Sequence, residues 1–268
     1  MNREEKIMQN VQDHYEEAKQ LFPEDRIVGI FLQGSQNYGL DYEFSDIDTK
    51  LIVTPTLSQI AFNESPISTT YIRENNEHID LKDIRLYIET FRKQNLNFLE
   101  ILFTDFKIVN PIYSDFWNIL VYNRELIAHY NPFRAVKSMK GIAEEKYHAM
   151  EHPYPSKLNI IQYYGYDCKQ LHHLLRVEDY LERYIKGERY ENCLKPTDKE
   201  YLIEVKRNCY TLAEARLVAE QSMAHVRKIA DDFCTKTPDS PNRIVENMFK
   251  EVQYDIIQNA LKIEILNS

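Results

Sequence analysis

The stretch "LQGSQNYGLDYEFSDIDTKLIV", from Leu32 to Val53, joins two apolar runs through a polar connection. Gly34 and Ser35 follow the first run directly, although the chain of 268 residues contains only 6 glycines. Asp46 and Asp48 stand at the start of the second run. Residues two apart on a β-strand point to the same face. The pattern therefore predicts two carboxylates side by side at one end of a sheet.

These residue types suit the handling of phosphates with divalent ions. Two adjacent carboxylates repel each other, and a bound cation removes that repulsion. A glycine lets the backbone approach a ligand closely, and a free N–H with a nearby hydroxyl can hold a phosphate oxygen. Asp80, in a third predicted strand, would bring another carboxylate to the same end of the sheet. Three carboxylates and a phosphate-holding turn are the groups that two-metal phosphoryl transfer requires.

The residues around this stretch predict a small mixed sheet with flanking helices. Period-two and short apolar runs predict strands, and three- and four-residue spacing predicts helices. Asp83 is expected to cap a helix. The predicted elements are a helix over 5–22, strands over 26–32, 48–53 and 77–81, a short helix over 97–103 and a strand or extended connection over 106–110.

After Pro111 the pattern becomes helical. Asn131 precedes Pro132, a favoured first helical residue. Thr197 with Glu200, and Thr211 with Glu214, have the spacing of capping boxes. The fold class that follows is α+β, with a small mixed β-sheet domain over residues 1–110 and an all-helical domain over residues 111–268.

The motif is similar to a known signature. Gly34-Ser35, ten intervening residues, Asp46-x-Asp48 and a later strand carboxylate resemble the DNA polymerase beta-like nucleotidyltransferase superfamily. The resemblance implies that Asp46, Asp48 and Asp80 are catalytic and bind Mg²⁺ or Mn²⁺, and that Gly34 and Ser35 contact the triphosphate of ATP or another NTP. Asp83 and Glu100 are alternatives for the third carboxylate, but Asp83 is better explained as a cap and Glu100 is expected on a more distant helix.

A wider resemblance rests on looser motifs. "GSQNYGLDYEFSDID", "NLNFLEILF" and "GYDCKQLHHLLR" are similar to a family of predicted bacterial and phage nucleotidyltransferases, some of whose members are suspected of RNA repair. In that family a Lys…His…Arg helix lies in the helical half. Here Lys169, His172 and Arg176 would share one face of a predicted helix over 158–186. The functional reading is a cationic face that borders the same cleft as Asp46 and binds the nucleotide; the alternative is a solvated helix face.

The expected reaction is metal-dependent transfer of a nucleoside monophosphate from an NTP to an acceptor hydroxyl, with release of pyrophosphate. The acceptor stays open among an RNA end, a protein side chain and a small molecule. One competing interpretation is a non-catalytic nucleotide-binding or antitoxin-like regulator with the same fold. Another is a kinase-like transfer of the terminal phosphate, which would leave NDP instead of pyrophosphate.

Composition narrows the class of protein. Lys and Arg number 33 and Asp and Glu 42, so the net charge is −9, which disfavours a protein that coats long duplexes. No apolar run approaches the roughly 20 residues that cross a bilayer. The charged N-terminal segment does not resemble a signal peptide, and a cytoplasmic location without a membrane partner is expected. No Walker-type or Rossmann-type glycine pattern is present in the sequence.

Overall fold

The chain forms two compact units. The computed structural model describes residues 2–41 and 45–267, so residues 42–44 of the quoted stretch lie outside the described residues. The first compact unit, called the sheet unit below, comprises residues 1–37, 43–130 and 241–268. The second, the helical unit, comprises residues 38–42 and 131–240. These bounds differ from those of the predicted domains, because residues 111–130 and 241–268 lie with the sheet. Which part of the chain is catalytic stays a prediction.

The sheet unit contains a five-stranded mixed sheet. Its strands are β1 (Ile27–Gln33), β2 (Asp48–Val53), β3 (Ser68–Ile72), β4 (His78–Asp83) and β5 (Lys107–Val109). Their order is β3-β4-β2-β1-β5. The β2–β4 pair is parallel, and the other pairs are antiparallel. The helices of this unit are α1 (Arg3–Leu21), α2 (Leu57–Ala61), α3 (Ile84–Arg92), α4 (Leu96–Leu99), α5 (Ser114–Tyr122), α6 (Arg124–Ala128) and α13 (Arg243–Asn267).

Helix α1 covers one face of the sheet. A capping box between Asn2 and Glu5 fixes its first turn. Its apolar stripe is buried against side chains that alternate along the strands, and each such side chain contributes about 1.5–3 kcal/mol when fully buried. The buried core on this face consists of Ile7, Val11, Tyr15, Ala18, Ile27, Ile30, Leu32, Ile47, Leu51, Val53, Ile79 and Leu81.

The opposite face is covered by helices from two distant parts of the chain. Phe31 of β1 packs on Trp117 of α5, with ring centroids 4.5 Å apart. Phe249 of α13 stacks on Phe91 of α3 at 6.0 Å. Arg92 Nε donates to the Glu246 carboxylate at 3.0 Å, which fixes α13 to the same helix. The C-terminal helix is therefore part of the sheet unit.

Strand pairing brings the quoted motif to one end of the sheet. Gln33, the last residue of β1, is opposite Asp48, the first residue of β2. In the parallel pair, Lys50 of β2 is opposite Asp80 of β4. The turn after β1 and the starts of β2 and β4 therefore lie at the same end of the sheet.

The helical unit has no strand among its described residues. Its helices are α7 (Pro132–Ala149), α8 (Leu158–Tyr164), α9 (Cys168–Ile185), α10 (Tyr190–Cys193), α11 (Lys199–Lys206) and α12 (Leu212–Lys236). Helices α7, α9 and α12 pack against one another, and α11 packs on α9. None of the helices in the described parts of the chain is both long enough and apolar enough to traverse a bilayer.

The α+β class with a mixed sheet is confirmed, and so are the three predicted strands. Strand β3 was not predicted, because "STTYI" is polar and lies exposed at the edge. The single helix over 158–186 is wrong: Gly165 adopts a positive φ of +84°, and Asp167 caps a new helix by accepting from Lys169 N–H. The cap predicted at Thr197 is also wrong, since Asp198 caps α11.

Candidate functional site

The Gly34-Ser35 turn directly follows β1, as the sequence predicts. Gly34 has a φ of +88°, a left-handed conformation that other residues rarely adopt, and open space surrounds the position of a Cβ. The conformation, not a close contact, therefore requires glycine. The turn is fixed by Asn37, whose Nδ2 donates to Leu32 O at 3.0 Å. Ser35 is partly exposed, and its hydroxyl makes no hydrogen bond to another described residue.

Glu100 closes the turn from the other side. Its Oε1 accepts from Gly34 N–H at 3.2 Å, and the side chain is buried. The expectation that Glu100 lies on a more distant element is therefore wrong, and the Gly34 N–H is not open to a phosphate in this arrangement. The sequence carried a signal for this residue, because Glu100 is the one acid inside the apolar run "NFLEILF". A charged side chain is rarely buried without a partner.

Asp46 and Asp48 occupy the predicted end of the sheet in different backbone settings. Strand β2 begins at Asp48, so Asp46 precedes it in irregular backbone and is exposed. The Asp48 side chain is 26% exposed. Its Oδ1 accepts from His78 N–H at 2.8 Å and lies 3.3 Å from His78 Nδ1. His78, at the start of β4, is a neighbour that the sequence interpretation missed.

Asp80 is held by two lysines. Lys50 Nζ donates to Asp80 Oδ2 at 3.0 Å, and Lys82 Nζ donates to Oδ1 at 3.3 Å. Both ammonium groups lie over the Phe98 ring, at 4.1 and 5.3 Å from its centroid. Burial lowers the pKa of the Lys50 ammonium, against the opposing attraction of the Asp80 carboxylate. Lys50 was missed, although a lysine inside the apolar strand "DTKLIV" is itself a sign of a buried ion pair.

The carboxylates differ in how well they suit a divalent ion. Mg²⁺ and Mn²⁺ prefer oxygen ligands, and Mg²⁺ usually keeps several waters beside one or two carboxylates. Asp46 and Asp48 fit that description, because they lie partly or fully exposed at one end of the sheet. Asp80 fits it only if its oxygens leave Lys50 and Lys82. The assignment of all three residues as metal ligands stays a prediction.

The predicted row of three cations on α9 is wrong for His172. Lys169 is exposed. His172 is 1% exposed, and its Nδ1–H donates to Leu202 O at 2.8 Å. Burial lowers the pKa of His172 to about 4, so the imidazole is neutral near pH 7. The sequence reasoning placed His172 on the polar face because Lys169 and Arg176 lie three and four residues away.

Arg176 binds a segment of the motif loop that belongs to the helical unit. Its guanidinium carbon lies 3.9 Å from the centroid of the Tyr38 ring, which is a cation–π contact. Nearby in the chain, Leu40 O accepts from Lys206 Nζ at 3.2 Å. Residues 38–40 are thus fixed by two cations of the helical unit. A role for Lys169, His172 and Arg176 in binding nucleotide stays a prediction.

The chain has distant structural likenesses among solved proteins. The chain is similar to a nucleotidyltransferase-like protein from Exiguobacterium sibiricum 255-15, with a TM-score of 0.34 and 12% sequence identity. The likeness covers 85% of this chain and 77% of that chain. No family model matches the sequence. No curated protein matches it either. A likeness this distant carries no argument about the site.

Proposed function

We propose that the chain is a divalent-metal-dependent nucleotidyltransferase. It moves a nucleoside monophosphate from an NTP to an acceptor hydroxyl and releases pyrophosphate. The acceptor is an RNA end, a protein side chain or a small molecule. The observation that carries the proposal is the pairing of Gln33 with Asp48, because it brings the Gly34-Ser35 turn and the Asp46-x-Asp48 motif to the same end of one sheet.

Each residue has a defined role in this proposal. The Ser35 hydroxyl donates a hydrogen bond to a phosphate oxygen, and the positive φ of Gly34 gives the backbone the turn that presents it. Asp46 and Asp48 hold Mg²⁺ or Mn²⁺. When bound there, the ion supplies Lewis-acid stabilisation of charge on the phosphates and the acceptor oxygen.

The chain's own groups complete the transfer. The acceptor oxygen forms a bond to the α-phosphorus while the bond from that phosphorus to the pyrophosphate oxygen breaks. Asp80 takes the proton of the acceptor hydroxyl on a carboxylate oxygen that Lys50 or Lys82 has released, while the other lysine fixes the orientation of the carboxylate. Glu100 is a positioning residue, because it acts on the turn through Gly34 N–H.

The test is a labelling experiment on the full chain. The protein is incubated with each α-labelled NTP, Mg²⁺ or Mn²⁺, and either pooled RNA or a cell extract. We expect label in an acceptor fraction and release of pyrophosphate. Parallel reactions with γ-labelled NTP distinguish the kinase-like alternative, in which the γ-label enters the acceptor and NDP is left. Absence of α-label transfer from every NTP would remove the proposal.

A second candidate is a non-catalytic nucleotide-binding regulator with the same fold. Two observations favour it: both Asp80 oxygens are bound by lysine ammonium groups, and Glu100 holds the Gly34 N–H. Such a protein would bind NTP without turnover. Equilibrium binding of NTP that is unaccompanied by pyrophosphate release, with RNA and extract present, would support the regulator over the enzyme.

A further inference from the structure

A second group of metal-ligating side chains lies in the helical unit. Glu178 and Glu182 stand one turn apart on α9, and His225 faces them from α12. His225 Nε2 lies 2.6 Å from Glu182 Oε1. One ligand atom from each of the three residues lies within 4.8 Å of the others. All three side chains are partly exposed, so an ion has access to them.

These side chains line a cavity of about 600 Å³ between α9, α11 and α12. Asp179 and Asp198 line it too, so its charge favours a cation. Ser222 also lines it, is 4% exposed, and has a hydroxyl without a hydrogen-bond partner among the described residues. A buried polar group left unpaired costs about 1–3 kcal/mol. Ser222 is thus a polar residue at the wall of the cavity, and the acidic side chains give the cavity its preference for a cation.

The carboxylates of the cluster have unused capacity to bind an ion. Within the described parts of the chain, the Glu178 carboxylate takes part in no hydrogen bond or ion pair. Glu182 accepts from His225 and has a second ion pair at 3.7 Å with the exposed Lys186. Like charges four residues apart on a helix repel each other. A divalent ion between them would remove that repulsion.

The donor set selects the class of ion. One imidazole and two carboxylates suit Zn²⁺ and related first-row transition metals, whereas Mg²⁺ and Ca²⁺ prefer oxygen ligands alone. Zn²⁺ binds such ligands at about 2.0–2.2 Å in tetrahedral geometry. Three protein ligands leave a fourth position for water.

We propose that Glu178, Glu182 and His225 form a transition-metal site of the Zn²⁺ class that links α9 to α12. This site shares no residue with the proposed site at the end of the sheet. Its ligands include an imidazole, whereas the ligands proposed there are carboxylates alone. It does not depend on the proposed nucleotidyl transfer.

The test uses the full chain with Asp46→Asn and Asp48→Asn, so that the sheet carboxylates cannot contribute. Zn²⁺ binding is measured by calorimetry, and Co²⁺ binding by its visible absorption. We expect one equivalent of metal. His225→Ala, and separately Glu178→Gln with Glu182→Gln, should each weaken binding roughly tenfold or more, since ligands are removed. His148→Ala and Glu220→Gln change exposed side chains elsewhere and should leave binding unchanged.

A measurement on the unaltered chain guards against misfolded variants. Zn²⁺ is titrated into the chain while NMR records the ring resonances of its histidines. The resonances of His225 should shift first. The proposal is overturned if the resonances of a different histidine shift first. It is also overturned if the Kd for Zn²⁺ is about 1 mM or weaker, which corresponds to a binding free energy of only about 4 kcal/mol. Binding that survives both His225→Ala and the double Glu→Gln variant overturns it as well.

Discussion

The start of β2 and the middle of α9 both carry two acidic residues at a regular spacing, yet their surroundings differ. Asp48 has His78 as a neighbour. Two residues further along β2, Lys50 forms an ion pair with Asp80. Around Glu178 and Glu182 the facing base is His225. A metal ion at the start of β2 would meet carboxylate oxygens next to lysine ammonium groups. A metal ion at α9 would meet carboxylate oxygens and an imidazole nitrogen.

The difference shows that a count of carboxylates does not define a metal site. Where lysines already neutralise a carboxylate, as at Asp80, an ion has to displace them before it can bind. Where a carboxylate faces a histidine, a transition metal can use both groups as ligands. The two regions should therefore respond differently to substitution, to metal and to pH.

The largest expected effect is at the end of the sheet. Asp46→Asn with Asp48→Asn should reduce nucleotidyl transfer roughly 10³-fold or more, because the ligands of the charge-stabilising ion are gone. The folded structure should persist, since neither residue belongs to the buried core. Steady-state kinetics and Mn²⁺ binding test this. Asp13→Asn with Asp105→Asn, two exposed acids elsewhere, is the matched control. Full activity in the first variant would remove the site assignment.

The buried His172 on α9 should make the stability of the chain depend on pH. His172 is neutral in the folded chain, with a pKa of about 4, against about 6.5 when unfolded. Between these values the unfolded state binds more protons, so the free energy of unfolding falls as pH drops from about 6.5 to about 4, by about 3 kcal/mol.

His172→Gln should remove this part of the pH dependence, as measured by urea unfolding at several pH values. His148→Gln, which changes an exposed histidine, should keep it. Burial also lowers the pKa of His173, but that residue is present in both variants, so the difference isolates His172. Identical pH profiles for the two variants would contradict the buried neutral state.

Lys50→Met tests whether the lysines compete with metal. Removing one partner of a nearly buried ion pair should lower the free energy of unfolding by about 2–3 kcal/mol, less than for a fully isolated pair because Lys82 still binds Asp80. If Asp80 is a metal ligand, Mn²⁺ should also bind several-fold more tightly to this variant. The control is Lys93→Met, at an exposed position. Unchanged Mn²⁺ affinity would exclude Asp80 from the metal site.

Ser35→Ala should have a smaller effect at the turn. Loss of one hydrogen bond to a charged phosphate should weaken kcat/KM for the nucleotide by about 1–2 kcal/mol. Ser65→Ala, at an exposed serine away from the turn, should change nothing. Equal kinetic constants for both variants would argue against contact between Ser35 and the triphosphate.

The smallest effect is expected at Lys169. This exposed lysine would act as a point charge on the nucleotide, so Lys169→Ala should weaken nucleotide use about three- to tenfold without loss of stability. Arg176→Ala should also impair nucleotide use, but its contact with Tyr38 means that stability must be measured beside it. Lys228→Ala is the control on an exposed helix surface. No difference between Lys169→Ala and this control would favour the solvated-face interpretation.

The sequence predicted those parts of the fold that depend on local pattern. Apolar runs located β1 and β2, alternation of polar and apolar residues located β4, and Asp83 was recognised as a cap, because periodicity and capping act within a few residues. Lys50 and Glu100 were missed as partners because their contacts join residues 30 and 66 positions apart, which no local pattern reveals. His172 was misplaced because α11 packs on this face of α9, and its Leu202 O, which accepts from His172, lies 30 positions away in the chain.

The return of α13 to the sheet unit affects how the protein can be made. Synthesis proceeds from the N-terminus, so all residues of the helical unit, 38–42 and 131–240, are made before Arg243–Asn267. Until Phe249 arrives, the side chain of Phe91 lacks the ring that stacks on it in the finished protein. Domains generally fold as units during translation, and exposed apolar surface invites aggregation. We therefore expect the sheet unit to complete its packing only after the helical unit has been made, when α13 reaches α3.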